Sequence, residues 1–525
     1  MEAKVARVWS LVLSLPLSSF TADASFFDFG GSLTFFKLAK ELGAEFNVEL
    51  GVAELLQVPT LTAMTGLISS SLASSTALDS SSSSGGGGAS SADNDSDVDG
   101  GAQHPAVATK AMSFDPVAEA RKFPISPPLK GAARLPTPEV AAAVSAATLL
   151  RYRAVPTKTV LVTGCTGYVG AFLMKTLASR ADVACVVCLV RAADAEAALK
   201  RLRATCVKRA IDDDDFEAWF AKVSALPGDV ASPRLGLSGS EYAQLACSVH
   251  SIVHAAAEVN MLKPAQSLSH TNVGGTSNVL SLAVMAGLPV VFTSTILPLE
   301  GAAPTGYRQS KAAAEALLID AQHGYGVPSA VLQLGDIGIG ASASPKALPD
   351  DDYVVLCLRA CLALGKFPMA HGWSVSIMPV HQCADLLATL CLEAPTERFT
   401  GEPREVKGDL IRWNTLYEWM SPALPGLEAV SFDEWKRVIV ELSSRDDTSE
   451  RIDVSDAQSS DVPDDEAYYS PAAIASAKRM AMLLPAMEQE FSAEERRRVN
   501  GEGADCELYI DAAWGARFGA ALAAA

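Results

Sequence analysis

Two kinds of hydrophobic spacing divide the chain. Near the start, apolar residues recur at helical intervals, and Val5, Val8, Trp9, Val12 and Leu13 fall on one helix face. Further helical runs, LTFFKLAKEL and LTAMTGLI, follow before residue 68. From about 155 the pattern changes to short apolar runs alternating with helical ones: TVLVTG, AFLMKTLASR, VACVVCLVR, AEAALKRLRATCVKRA, SIVHAAA, SNVLSLAVMAG and VVFTST. A long helix near 308–322 and the strand-like AVLQLGDIG complete the series. This alternation predicts a doubly wound parallel sheet of the α/β, Rossmann type. Beyond 341 it gives way to helical stretches such as YVVLCLRACLAL and ADLLATLCL, which predict a smaller substrate-side subdomain.

The expected organisation is a compact helical unit at 1–68, a linker at 69–112 and a large unit at 113–525. Within the large unit, 155–340 is the nucleotide-binding part and 341–525 the subdomain, with an acidic insertion near 444–466. The linker is Ser, Gly and Asp, which cannot bury enough apolar area to order themselves. As a flexible coil it would reach roughly 35 Å, a tether between the two units.

Composition narrows the function. With 42 basic and 61 acidic residues the formal charge is −19, which argues against general nucleic-acid binding. An anionic ligand would need a local site of backbone amides and a few arginines. No apolar run reaches the ~18 residues of a membrane span. Ten cysteines sit mostly in apolar runs, a pattern that fits a reducing, cytoplasmic setting. Cys185 and Cys188 have no second pair with them, so no metal site is predicted.

The candidate chemistry begins at VLVTG-CTGYVG-AFLMKTL, a strand, tight loop and helix with glycines at 164, 167 and 170. Such a loop lets backbone approach a pyrophosphate in front of free helix amides. Gly164, Thr166, Gly167, Tyr168, Val169 and Gly170 are therefore the expected pyrophosphate-facing residues. Arg191 ends the next strand, where an acidic residue would select NAD and an arginine suits the 2′-phosphate of NADPH. Arg201 on the following helix is placed to add charge. Asp229, followed by Val230, closes another strand and is expected near the adenine.

Thr295 ends the strand VVFTST, and Tyr307 and Lys311 lie in GYRQSK. The i, i+4 spacing puts Tyr307 and Lys311 on one helix face. A nearby ammonium is expected to lower the Tyr307 pKa from about 10, so that the phenol gives a proton to a carbonyl oxygen as hydride arrives. Thr295 would be the second donor to that oxygen. His254 and Asn272 read as structural hydrogen-bonding residues rather than proton carriers.

As a set, these residues resemble the extended short-chain dehydrogenase/reductase family. More narrowly, VLVTGCTGYVGAFL, CLVRA, IVHAAAEVN, TNVGGTSNVL, TSTI and GYRQSKAAAEALL resemble the thioester reductase domains that end nonribosomal peptide synthetases, carboxylic acid reductases and fungal aminoadipate reductases. The resemblance covers about 135–440 and implies that Ala255 and Ala256 lie along the cofactor. Two positions depart from the pattern: Gln333 stands where these domains usually have Arg, and His381 where an Asp usually follows Pro-Val.

Over about 4–68 the chain resembles a phosphopantetheine carrier, which implies a small all-α four-helix fold with Ser32 as the attachment residue. Here Gly30, Gly31 and Ser32 are contiguous, whereas the family has one residue between the glycines and the serine. The basic residues before VWSLVLSLPL also fit a signal peptide. The amphipathic helix is the preferred reading, because that run leads directly into the carrier motif.

The two resemblances together imply NADPH-dependent release of an acyl thioester as an aldehyde, with further reduction to alcohol open. They also imply a phosphopantetheinyl transferase, and an adenylating or acyl-loading enzyme acting in trans or a larger synthetase of which this is the end. Two alternatives stand beside this one. In the first, the carrier is inactive and the reductase acts on a free acyl-thioester, aldehyde or nucleotide-sugar. In the second, the chain is a non-catalytic carrier or docking protein.

Overall fold

The computed structural model describes most of residues 1–79, then 114–125, 155–296, 305–338, 352–443 and positions 476, 477, 480, 481 and 484. Within these spans 14, 23, 25, 27–31, 47, 49–54, 56–57, 59, 262, 371–372, 396–397, 407 and 425 are excepted. The chain forms two compact units, Met1–Asp115 and Pro116–Ala525. The Ser/Gly/Asp-rich stretch beyond 79 and the acidic stretch near 444–466 lie outside the described residues.

In the first unit, helix α1 (Glu2–Leu13) buries Val5, Val8, Trp9 and Val12, the face that the spacing selects. They pack with Phe26, Leu38, Leu42, Leu55, Met64 and Ile68, contributed in part by α2 (Ser32–Phe46) and α3 (Leu61–Asp79). Trp9 meets Phe20 and Phe26 edge-on, with ring centroids 5.7 and 5.2 Å away. Burying each such side chain stabilises the unit by about 1.5–3 kcal/mol, enough for a small core. Of residues 49–57, only Leu55 is described. Helix α3 runs past 68, the expected end of the unit, to Asp79. Its serines fold back on the helix instead of solvating a coil: Ser69 Oγ donates to the Thr65 carbonyl and Ser70 Oγ to that of Leu67, both at 2.7 Å.

The second unit is built on a seven-stranded sheet. Its strands are β1 (Lys158–Thr163), β2 (Val183–Val190), β3 (Val223–Pro227), β4 (Ser251–His254), β5 (Val290–Thr295), β6 (Ser329–Leu334) and β10 (Pro403–Val406). They run in the order β10-β6-β5-β4-β1-β2-β3, and every pairing is parallel. The expected run AVLQLGDIG divides at Gly335: β6 stays in this sheet, whereas β7 (Asp336–Gly338) joins a three-stranded sheet with β9 (Ser374–Pro379) and β11 (Asp409–Arg412).

Short helices α4 (Pro116–Ala120) and α9 (Ala265–Ser269) flank the longer ones α5 (Tyr168–Ser179), α6 (Ala195–Lys208), α8 (Gly239–Ser248), α10 (Gly275–Ala286) and α11 (Gly306–Tyr325), with α7 (Phe216–Phe220) preceding β3. The expected division at 340 does not hold for the main sheet. β10 extends it from the far side of that boundary, and α13 (Val380–Leu392) packs on α5, because Val380, Cys383, Leu387 and Cys391 supply the apolar stripe that covers it.

A separate core gathers α12 (Tyr353–Leu364), β8 (Lys366–Met369), α14 (Trp413–Met420), β12 (Glu428–Ser431) and α15 (Phe432–Ser443) around Phe367, Trp413 and Trp435. Phe367 stacks on Trp413 at 5.0 Å, and the Trp413 indole N–H donates to the Pro368 carbonyl at 2.9 Å.

Candidate active site

Strand order reverses between β1 and β4, which leave in opposite directions and open a crevice at their C-terminal ends. The glycine loop leaves β1 and the Ala255–Ala257 stretch leaves β4 at this point. Gly164 has φ +81°, and a Cβ there would meet the Ala255 and Ala256 backbone at 2.7 Å. Only glycine supports both the left-handed conformation and the close approach. Gly167 caps α5 without a side-chain hydrogen bond, so the first amides of that helix remain for a ligand. A bare amide cradle of this kind fits a dinucleotide pyrophosphate.

A cleft of about 600 Å³ occupies the crevice. It is lined by Gly164, Thr166, Gly167, Tyr168, Val169, Gly170, Arg191, Arg201, Asp229, Val230, Ala255, Ala256, Thr295 and Tyr307, so residues read from separate motifs meet in one place. Arg201 donates through Nη1 to the Arg191 carbonyl at 2.7 Å, which ties the first turns of α6 to the end of β2. Asp229 accepts from the Ala231 amide at 3.0 Å. Its own amide donates to Leu235, in a loop where Arg234 and Leu235 have φ of 54° and 60°.

Two further cations, Lys208 and Arg209 at the end of α6, line the cleft and were not singled out from the sequence. The Arg209 guanidinium lies 5.3 Å from the Tyr168 ring, whose hydroxyl donates to the Gly338 carbonyl at 2.9 Å. A basic pair ending a helix after an already basic RLR segment was the available signal.

Tyr307 is half-buried at the start of α11, where the Thr305 hydroxyl accepts from the Arg308 amide. Lys311 does not line the cleft wall but is buried one turn on, with its ammonium 4.0 Å from the Phe292 ring centre. Burial lowers the Lys311 pKa to about 7, opposed by Glu315. The Tyr307 pKa does not fall as expected. Burial raises it to about 12, and the cation that opposes the rise is Arg308. The phenol's own burial outweighs the cation that opposes it, so Tyr307 is a neutral phenol, a hydrogen-bond donor, at neutral pH.

His254 has the structural place expected of it. The Thr276 hydroxyl donates to the Asn272 carbonyl at 2.6 Å, so its oxygen accepts from His254 Nε2 at 3.1 Å. Nδ1 is then the acceptor for the Thr163 hydroxyl at 2.7 Å, and Thr163 Oγ1 in turn takes the Ala256 amide at 3.2 Å. This chain assigns the neutral Nε2–H tautomer and anchors the backbone that faces Gly164. Burial, then Lys311, lowers the His254 pKa to about 3. Asn272 is also fully engaged: it accepts from the Glu258 amide at 2.7 Å and donates to the Glu258 carbonyl and Ser310 Oγ at 3.1 and 2.9 Å.

Of the departures, Gln333 is buried and donates through Nε2 to both Glu315 oxygens, at 2.9 and 3.2 Å. His381 is the second residue of α13, and its Nδ1 has no hydrogen-bond partner among the described residues. Ser32 is the first residue of α2, while Gly30 and Gly31 lie outside the described residues.

Residues 3–68 match the family described as phosphopantetheine attachment site, and 162–303 with 297–387 match the family described as male sterility protein. Among curated proteins the chain is 27% identical over 459 residues to glycine betaine reductase ATRR of Emericella nidulans, covering 82% of this chain and 31% of that one. It is 30% identical over 282 residues to the L-2-aminoadipate reductase large subunit of Penicillium chrysogenum, covering 47% of this chain and 20% of that one. The chain thus spans under a third of either relative. Among solved structures, the terminal R domain of the myxalamid PKS-NRPS pathway superposes with a TM-score of 0.55 at 24% identity, over 70% of this chain and 91% of that one, and shares the fold. The chain joins a phosphopantetheine carrier domain to a Rossmann-type reductase domain of the kind found in nonribosomal peptide synthetase-like and aminoadipate reductases.

Proposed function

We propose that the chain reduces an acyl thioester, held on a phosphopantetheine arm at Ser32, to an aldehyde at the cleft between β1 and β4. The reading rests above all on one observation: the glycine loop, Arg191, Thr295 and Tyr307 line a single cleft, with Lys311 buried a turn behind Tyr307. Gly164, Gly167 and Gly170 hold the pyrophosphate of NADPH, Arg191 and Arg201 its 2′-phosphate, and Asp229, Val230, Ala255 and Ala256 the adenosine and central parts. When bound, NADPH supplies the hydride.

Tyr307 and Thr295 orient the thioester carbonyl by donating hydrogen bonds to its oxygen, which strengthen as that oxygen gains charge. Tyr307 then gives its proton to the oxygen, and Lys311 balances the phenolate left behind. As the carbon–sulfur bond breaks, the hydroxyl proton returns to the Tyr307 phenolate, the aldehyde carbonyl forms, and the departing sulfur takes a proton from solvent to give back the thiol. A phosphopantetheinyl transferase modifies Ser32, and an adenylating or acyl-loading enzyme, in trans or within a larger synthetase, loads it. The described cysteines are all free, which supports a cytoplasmic setting, and no helix among the described residues is long and apolar enough to cross a membrane.

The test is single-turnover NADPH oxidation by the acyl-loaded chain, with trapping of the aldehyde. Tyr307→Phe keeps the ring and removes the proton, so the rate should fall by about 10²–10⁴ while NADPH affinity holds. A variant as fast as the parent rules out this mechanism.

A further inference from the structure

Behind the proposed catalytic residues lies a buried polar group that the mechanism above does not use. Glu315 follows Lys311 by one turn of α11 and is 5% exposed. Gln333, from the adjacent strand β6, spans both its oxygens with one amide nitrogen. Burial raises the Glu315 carboxyl pKa, and hydrogen bonds from uncharged donors, Gln333 among them, oppose that rise without neutralising the carboxylate. An arginine at 333 would cancel that charge. Glutamine leaves it for the next cation along the helix.

We infer that Glu315 is a positioning residue for the reduction: as a carboxylate it holds Lys311 in the ammonium form, and Gln333 keeps it a carboxylate while leaving its charge directed at Lys311. The inference rests on the assignment of Tyr307 and Lys311 above.

The surroundings of Lys311 offer no substitute. From β5 it meets the Phe292 ring, and β5 and β6, both in contact with α11, carry no titratable side chain. From β4 comes His254, a neutral ring whose protonation Lys311 opposes. Helices α9 and α10 pack on α11 and have no titratable side chain, and in the π-helical turn His270–Gly274 between them His270 is exposed. Glu119 of α4 is engaged by Lys122 at 2.7 Å, and on α11 itself Arg308 acts on Tyr307. Glu315 is the group that raises the Lys311 pKa against its burial.

The sign follows. A step that needs the ammonium slows as pH rises through the Lys311 pKa, about 7 in the parent. Removing the carboxylate charge with Glu315→Gln moves that alkaline limb to lower pH. Gln333→Arg does the same by pairing Glu315 and repelling Lys311.

The experiment is the pH dependence, from 5.5 to 9, of single-turnover NADPH oxidation by the acyl-loaded full chain, with NADPH affinity measured at each pH. Both variants should approach the parent rate at pH 5.5, show the limb at least one pH unit lower, and run about tenfold slower at pH 8. A uniform loss at every pH with the limb unmoved would mean a packing role and overturn the inference, as would an unchanged profile. If Glu315→Gln does not fold, Gln333→Arg decides by the same criterion. Tyr307→Phe separates the two readings. If it remains fast, the catalytic assignment fails. If it is slow and neither limb moves, only the role of Glu315 fails.

Discussion

The neutral His254 makes the reductase unit acid-sensitive by a calculable amount. Its pKa is about 3 in the folded protein and about 6.5 in an unfolded chain. The folded form therefore binds fewer protons between these values. Stability is fully present above pH 6.5 and falls as the unfolded state takes up its proton. At pH 5, 1.5 pH units below the unfolded value, the loss is about 2 kcal/mol at about 1.4 kcal/mol per unit. The cost is physical: a proton on Nδ1 would replace the acceptor that Thr163 needs and place a cation near Lys311. His254→Gln removes the titration while retaining a donor and an acceptor. Urea unfolding of parent and variant should be compared at pH 7.5 and pH 5. The variant is expected to be less stable at pH 7.5, but its additional loss on going to pH 5 should be smaller than the parent's by about 2 kcal/mol. Equal losses would refute both the tautomer and the burial argument.

Three other outcomes are expected. NADPH should bind more tightly than NADH, and Arg191→Ala should narrow the gap by about 1–3 kcal/mol, read from fluorescence titration; equal affinities in the parent would contradict the 2′-phosphate assignment. Incubation with coenzyme A and a broad phosphopantetheinyl transferase should add one phosphopantetheine to the parent and none to Ser32→Ala by intact mass; an unchanged parent would point to the free-substrate alternative. Gly164→Ala should weaken NADPH binding at least tenfold and lower the melting temperature, because its Cβ would collide with Ala255 and Ala256 at a positive φ that itself costs about 1–2 kcal/mol; unaltered NADPH affinity would count against the cradle.

The nucleotide-binding fold was legible because each strand and helix from β1 to β6 has its own period and the connections are short. The cleft was legible for the same reason: its residues sit at strand ends, and strand ends converge in a parallel sheet. The edge strand β10 was not, since PREV is short and three of its residues are polar or proline, with only Val406 packed against the core. Helix α3 beyond 68 was hidden by composition, because serine and alanine runs read as linker unless the i−4 carbonyl bonds are known. The Tyr307 shift was misjudged because i, i+4 spacing reports proximity but not dehydration. Lys311 is a neighbour in sequence, yet the burial of the phenol itself decides the shift, and the cation acting against it is Arg308.

Charge distribution explains how so acidic a chain can hold a polyanionic cofactor. A net charge of −19 repels anions at long range, but at physiological ionic strength the field decays within about 8 Å. What counts is the local set. Arg191, Arg201, Lys208 and Arg209 line the part of the cleft formed by β2, α6 and the glycine loop. The wall that carries Thr295 and Tyr307 also includes Thr293, Val259, Met261 and Ile337 and two carboxyl residues, Asp336 and Asp352, while Lys311 is withdrawn from it. The proposed assignment sets a dinucleotide in this cleft with its phosphates toward the arginines and its nicotinamide toward Tyr307. Under the proposed assignment the reacting carbonyl lies beside Thr295 and Tyr307, two uncharged donors, and their hydrogen bonds to a developing oxyanion gain strength in a site of low dielectric.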